Sequence, residues 1–180
     1  MYLTSVTNLK LSKESFFIID QMAYRAKALY NSSLYQINKE FKDAGTYLNY
    51  GLTDVLMKSL IDDKGNIVYA SLPSALAQQT IKKLHKNFKS FFSLLKKKQD
   101  LSYDKDINTP RYLAPEDRKE LIYTKSKTSQ SFLFKNGFIW ISVSEDLYIR
   151  GKRLKLCPIP KYLEGYAFSD IKQLEIKPSY

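Results

Sequence analysis

The residues of this chain best suited to chemistry are the lysines between Leu72 and Lys98, in the segment LPSALAQQTIKKLHKNFKSFFSLLKKK. Apolar residues recur there at the four-then-three spacing that places side chains on one face of a helix. These apolar positions are Ala77, Ile81, Leu84, Phe88, Phe91 and Leu95. The opposite face carries Lys82, Lys86, Lys89, Lys96 and Lys97. No Asp or Glu between Lys64 and Gln99 neutralises them, so the helix suits a polyanionic partner, with a solvated lysine face as the plain alternative.

The composition of the whole chain favours the same class of partner. Over 180 residues the formal net charge is +11, which is typical of proteins that meet nucleic acid or an anionic membrane surface. Fourteen Tyr and ten Phe accompany that charge, and aromatic rings beside Lys and Arg are what unpaired bases stack on. Most of these rings are expected in the core, so composition supports the interpretation without proving it.

The sequence offers little for catalysis or metal binding. It contains no Gly-rich phosphate loop, no HExxH, no CxxC and no nucleophile elbow. One cysteine, Cys157, and one histidine, His85, cannot supply a structural zinc site, and His85 is expected to make structural contacts or face solvent. Acidic pairs at residues 62–63, 116–117 and 145–146 lie at predicted turns or segment ends, unlike the converging carboxylates of two-metal nucleases. The chain is predicted to be a binder with no cofactor of its own.

The compartment follows from what the sequence does not contain. A single cysteine allows no disulfide within the chain, which suits a reducing environment. The first residues lack the pattern of a secretory signal, and no run of eighteen apolar residues is present. We therefore expect a soluble, cytoplasmic protein without a membrane partner.

The first half of the chain is predicted to be mainly helical. Loose alternation over residues 2–11 predicts a short strand, and Ser12 then begins a helix that runs to about Phe41 and ends over Asp43–Gly45. A shorter helical piece is expected over 47–61, a turn over 62–66, and Pro73 in the first turn of the basic helix. Residues 12–99 therefore form a unit of three or four helices.

The second half is predicted to be β-structure. Residues 100–120 are polar and read as a linker. Asn136-Gly137 lies between two runs rich in Phe and Ile, which is the strongest short-range signal of a hairpin. A second turn is expected at Gly151 and a further strand around 171–176. The predicted class is α+β: a small β-barrel begun by residues 1–11, interrupted by the helical bundle, and completed by residues 121–180.

Several segments, in this order and spacing, resemble one known family. They are LKLSKE, ALYNSSLYQ, LPSALAQQTIKKLHKNFKSFF, INTPRY, FIWIS, CPIPKYLEG and IKQLEIKPSY. Together they resemble the N-terminal half of the TnpB (OrfB) proteins of insertion sequences, which are transposon-encoded RNA-guided DNA nucleases related to the type V CRISPR effectors. The resemblance covers essentially the whole chain.

That resemblance implies a fold and a function. In the family, a β-barrel "wedge" domain is interrupted by a helical recognition domain, and together they hold the guide RNA, its heteroduplex with target DNA, and the short DNA motif beside the target. Recognition of this kind works through backbone geometry and positive charge, while base pairing supplies the sequence. The family's RuvC-like nuclease and zinc ribbon follow the strand that resembles IKQLEIKP, and no residue here matches them, so Mg and Zn are expected only in that missing half.

Three interpretations within the family stay open. The first is a nuclease-less N-terminal portion that binds guide RNA and target DNA and is not an enzyme by itself. The second is one half of a split enzyme, completed by a separate nuclease polypeptide. The third is a regulator that occupies DNA without cutting it. Outside the family, a general RNA-binding protein or a basic membrane-surface protein remains, although the compact apolar face of the basic helix disfavours the membrane.

Two sets of site residues are predicted. The nucleic-acid-binding set is Lys82, Lys83, Lys86, Lys89, Lys96, Lys97, Lys98, Arg111, Tyr112, Lys125 and Lys127. The set for reading the DNA motif is Tyr30, Asn31, Tyr35, Ser74, Gln78 and Gln79. Gln and Asn can bond an adenine edge in bidentate fashion and an aromatic ring can pack on a thymine methyl, and by resemblance this helical surface faces the motif. The alternative is that Tyr30 and Asn31 brace the bundle and Gln79 is solvated.

Overall fold

A computed structural model describes residues 4–100, 102–125, 130–148, 151–163 and 165–178, and within them helices precede strands. The helices are α1 (Lys13–Ala44), α2 (Tyr50–Ser59) and α3 (Ser74–Gln99). The strands are β1 (Leu121–Thr124), β2 (Phe132–Lys135), β3 (Phe138–Ser142), β4 (Arg153–Pro158) and β5 (Gln173–Ile176). This mixture of helix and sheet is compatible with the predicted α+β class.

The long helix α1 begins and ends where the sequence predicts. Ser12 caps it by accepting the Ser15 N–H at 3.1 Å, which satisfies one of the free donors of the first turn. At the other end Gly45 takes a left-handed φ of 67° and donates its N–H to the Phe41 carbonyl. Phe41, near this end, is 59% exposed, because the buried stripe of α1 ends at Ile37.

Helices α1 and α3 run in the same direction. One core cluster joins early residues of both helices, such as Met22 of α1 and Ala77 of α3, and a second joins later residues, such as Leu34 and Leu84. The shorter α2 connects them and is capped by the Asn49 side chain, which accepts the Leu52 N–H at 3.1 Å. The predicted helical segment is therefore three helices.

Residues 102–120, the connector, run back along α1 in an extended path. Leu113 pairs with Asn31, Lys119 donates its N–H to the Ala23 carbonyl at 3.2 Å, and Arg118 pairs with Asp20 at 2.7 Å. The connector thus runs from the middle of α1 towards its first turns, which brings β1 to α3. The segment predicted as a linker is a packed part of the structure.

The strands form two small antiparallel sheets. In one, β1 pairs with β5, with Leu121 opposite Ile176. In the other, β2, β3 and β4 form a meander, and the predicted hairpin is confirmed, with Asn136 at φ 51° and Gly137 at φ 74° as a type I′ turn requires. A bridge between Lys125 and Gln130 links the two sheets.

Two predictions about the barrel differ from the structure. Residues 4–11 form no strand; Leu9 and Leu11 touch the core, but no neighbouring backbone pairs with them. The two sheets are open, and no closed barrel is formed by the described residues. Alternation alone predicts a strand, but a strand needs a partner, and no backbone among the described residues pairs with residues 4–11.

Candidate nucleic-acid interface

The exposed side of α3 carries a line of lysines, here called the lysine stripe: Lys82, Lys86, Lys89, Lys96 and Lys97. At 3.6 residues per turn, the first four lie within an arc of about 80° and extend along about 21 Å of the helix. All five are exposed, and within the described part of the chain none forms an ion pair with a carboxylate. Free ammonium groups in a row present a positive surface to a phosphate backbone.

Two other predicted lysines of α3 do not join the stripe. Lys83 points towards β1 and lies 3.7 Å from the Glu120 carboxylate. Burial alone would raise the pKa of Glu120. The hydrogen bond and charge of Lys119, together with the charge of Lys83, have the larger combined effect, so the pKa lies below its ordinary value. Lys98 is exposed, yet the helical repeat places it on another side of α3.

The remaining members of the predicted binding set lie elsewhere. Arg111 and Tyr112 are exposed on the connector, where Arg111 donates to the Asn108 side-chain oxygen at 2.7 Å. Lys125 is engaged inside the protein: its Nζ donates to the Phe168 carbonyl at 2.7 Å and lies 4.3 Å from the centre of that ring. Lys127 lies outside the described residues.

The stripe has a different neighbour on each flank. On one flank β1 approaches α3, and Gln79 Nε2 lies 3.4 Å from Thr124 Oγ1. On the other flank lie α2 and the residues before it, which contact α3 through His85. Because both flanks are packed, the stripe is held on a helix that is fixed on both sides.

The α2 flank holds an aromatic depression that sequence reasoning did not single out. It has a volume of about 320 Å³ and is lined by Tyr47, Asn49, Tyr50, His85, Lys89 and Phe92. Phe92 and His85 are seven residues apart on α3, a spacing that places them on one side of the helix, next to the lysines. That spacing was a signal in the sequence, but only the fold shows that Tyr47 and Tyr50 face it.

His85 is held by contacts on both ring nitrogens, which confirms the prediction of a structural role. Its Nδ1 lies 2.7 Å from the Tyr47 hydroxyl and its Nε2 lies 3.1 Å from the Thr53 hydroxyl. Burial lowers the pKa of His85 and raises the pKa of Tyr47 to about 12. Both groups are therefore neutral at pH 7, and the wall that they form carries no charge.

The six residues predicted to read a DNA motif do not form one surface. Tyr30 is buried, with Lys119 Nζ at 4.6 Å from its ring centre, and Asn31 is bonded to the connector. Gln78 lies beside Tyr69, and Gln79 contacts Thr124. Ser74 and Tyr35 are exposed. This arrangement favours the bracing alternative for Tyr30 and Asn31, while readout by the others stays a prediction.

The described residues show neither a metal site nor a membrane-spanning helix. Among them, no three His, Cys, Asp or Glu side chains are grouped so that they could hold a metal ion. Their helices include none with the length and apolar character needed to cross a bilayer.

Comparison with known proteins adds no relative. No protein-family model matches this sequence, and no curated protein matches it. The resemblance to the TnpB family therefore rests on the sequence segments quoted above.

Proposed function

We propose that this chain is a nucleic-acid-binding unit whose lysine stripe holds a phosphate backbone. The observation that carries the proposal is the row of five exposed lysines on α3 without an ion pair among the described residues. Phosphate contacts of this kind provide affinity that does not depend on sequence. On this proposal α3 supplies the electrostatic contact, and β1 and α2, which pack against its flanks, hold it in place. The two sheets would correspond to the family's wedge.

The resemblance to TnpB proteins suggests which nucleic acids are bound. We assign guide RNA and target DNA as the partners and assign binding, not cutting, to these 180 residues. Completion by a separate nuclease polypeptide and action as a regulator that only occupies DNA are both compatible with that assignment. An interface that recognises shape and charge suits both the split enzyme and the regulator, because base pairing supplies the sequence specificity in RNA-guided systems.

Two alternatives fit the geometry less well. A merely solvated helix face usually mixes both signs of charge, whereas residues 64–99 contain no acidic side chain. A membrane-surface helix must offer its apolar face to lipid. In α3 that face is buried inside the protein, with Ile81 and Leu84 fully covered by the core.

The proposal is tested by comparing ligands under identical conditions. Fluorescence anisotropy with a labelled RNA hairpin measures binding, and unlabelled duplex DNA and vesicles containing anionic lipid serve as competitors. We expect the hairpin to bind, duplex DNA to compete, and the vesicles to compete weakly. Failure to bind RNA and DNA, or stronger binding to the vesicles than to either, would contradict the proposal.

A further inference from the structure

The aromatic depression beside the lysine stripe is an open, mainly apolar hollow at the protein surface. Its volume of about 320 Å³ lies at the lower end of the range that ligand pockets occupy, roughly 300–1,000 Å³. Its lining includes four rings and one lysine, and no carboxylate. A surface of aromatic rings with a positive edge suits a flat aromatic group attached to an anion.

The walls of the depression are fixed before any ligand arrives. The rings of Tyr47 and Phe92 meet edge to face, with centres 5.3 Å apart and planes at 85°. Phe88 packs against Phe92 as well, with ring centres 6.2 Å apart and planes at 26°. Phe92 nevertheless keeps 42% of its surface exposed, so a rigid ring is held at the surface. A preorganised aromatic surface lowers the entropic cost of stacking.

The polar groups of the depression are already engaged. Both His85 nitrogens have hydroxyl partners, and the Asn49 side-chain oxygen accepts the Leu52 N–H. The site therefore offers ring surface rather than a pattern of hydrogen-bond donors and acceptors. A ligand recognised in this way would be held by stacking, with little preference among ligands of similar shape.

Positive charge borders the depression on the side of the stripe. Lys89 belongs to both features, and Lys82 Nζ lies 5.4 Å from the centre of the Tyr50 ring. A nucleotide whose phosphate contacts Lys86 or Lys89 would have its base within reach of Phe92, since these residues lie within about two turns of α3.

We propose that the depression receives one unpaired base of a bound RNA, stacked against Phe92, while the adjoining phosphates lie along Lys82, Lys86 and Lys89. This inference rests on the proposed function, because the stripe is what brings the backbone to the site. It adds that the protein distinguishes RNA with an unpaired segment from a fully paired helix, without reading which base is unpaired.

The test compares two RNAs and two variants. One RNA is a blunt hairpin and the other is the same hairpin with a short single-stranded 3′ extension that carries 2-aminopurine. The variant Phe92→Leu removes the ring but keeps an apolar side chain, and Phe16→Leu, at a 62% exposed ring near the start of α1, is the matched control.

We expect the unmodified protein to bind the extended hairpin more tightly than the blunt one and to change the 2-aminopurine fluorescence. Phe92→Leu should weaken binding of the extended hairpin by about fivefold or more, leave the blunt hairpin unaffected, and abolish the fluorescence change. Phe16→Leu should alter neither. Equal effects of the two variants, or equal loss on both RNAs, would overturn the inference while the proposed function stands. No binding of either RNA by the unmodified protein would overturn both.

Discussion

Asn31 and Leu113 are joined by two reciprocal hydrogen bonds across 82 residues of sequence. The Asn31 amide nitrogen donates to the Leu113 carbonyl at 3.0 Å, and the Leu113 N–H donates to the Asn31 side-chain oxygen at 3.0 Å. One side chain thus satisfies both backbone groups of a connector residue, in the way that a neighbouring strand would. This pair fixes the path of the connector along α1.

Replacing Asn31 should therefore affect stability rather than recognition of a DNA motif. Asn31→Ala leaves the N–H and carbonyl of Leu113 without their partners, and we expect a loss of about 1–2 kcal/mol in the free energy of unfolding. Urea denaturation followed by circular dichroism measures it. Asn38→Ala, at an exposed position of the same helix, is the control and should have little effect.

The same variant tests the role in readout. If Asn31 braces the bundle, the folded Asn31→Ala variant should change its affinity for a preferred DNA motif and for a scrambled duplex by the same factor. A loss confined to the preferred motif, on the order of 1–3 kcal/mol, would instead support direct readout.

The turn between β2 and β3 should require glycine at its second position. Gly137 has a φ of 74°, which a side chain disfavours, so Gly137→Ala should destabilise the protein by about 1 kcal/mol. Gly165→Ala is the matched control, because its φ is not in the left-handed region and the added carbon would meet no atom within 4 Å. Thermal unfolding of both variants decides the matter; equal stabilities would contradict the assigned turn.

Stability should fall in mildly acidic solution because of His85, the single histidine of the chain. Burial holds the pKa of His85 in the folded protein below its ordinary value of 6.5, so the unfolded chain binds the proton more readily. The free energy of unfolding should thus decrease as the pH falls below about 6.5. The lowered pKa values of Glu120 and Asp146 matter only below about pH 4.5.

Urea denaturation at a series of pH values between 7.5 and 5 measures this effect. In the variant His85→Gln, position 85 carries no titrating group. Its free energy of unfolding should stay at the value that it has at pH 7.5 throughout this range. A parallel decrease in both proteins would show that another group is responsible.

Features set by neighbouring residues could be predicted from the sequence. Ser12 and Gly45 mark the ends of α1, the apolar spacing marks α3, and Asn136-Gly137 marks the hairpin, since each signal acts over a few residues. The exposure of the lysine stripe followed from the same helical spacing.

Features that depend on distant residues could not be predicted. Nothing in the polar segment 100–120 indicates that Leu113 will meet Asn31, and nothing in residues 4–11 shows that no strand will pair with them. Lys83 and Lys125 look like the stripe lysines in sequence, yet the fold brings Glu120 to the first and the Phe168 carbonyl to the second. The aromatic depression likewise exists only once Tyr47 packs against Phe92.

The salt dependence of RNA binding tests the central claim most directly. The triple variant Lys82→Gln, Lys86→Gln and Lys89→Gln removes three charges from the stripe, and Lys10→Gln, Lys64→Gln and Lys161→Gln removes three exposed charges outside α3. If the stripe holds phosphates, the slope of log affinity against log salt concentration should shrink by roughly two to three in the first variant and hardly change in the second. Equal slopes for the unmodified protein and the stripe variant, with both folded by circular dichroism, would contradict the account.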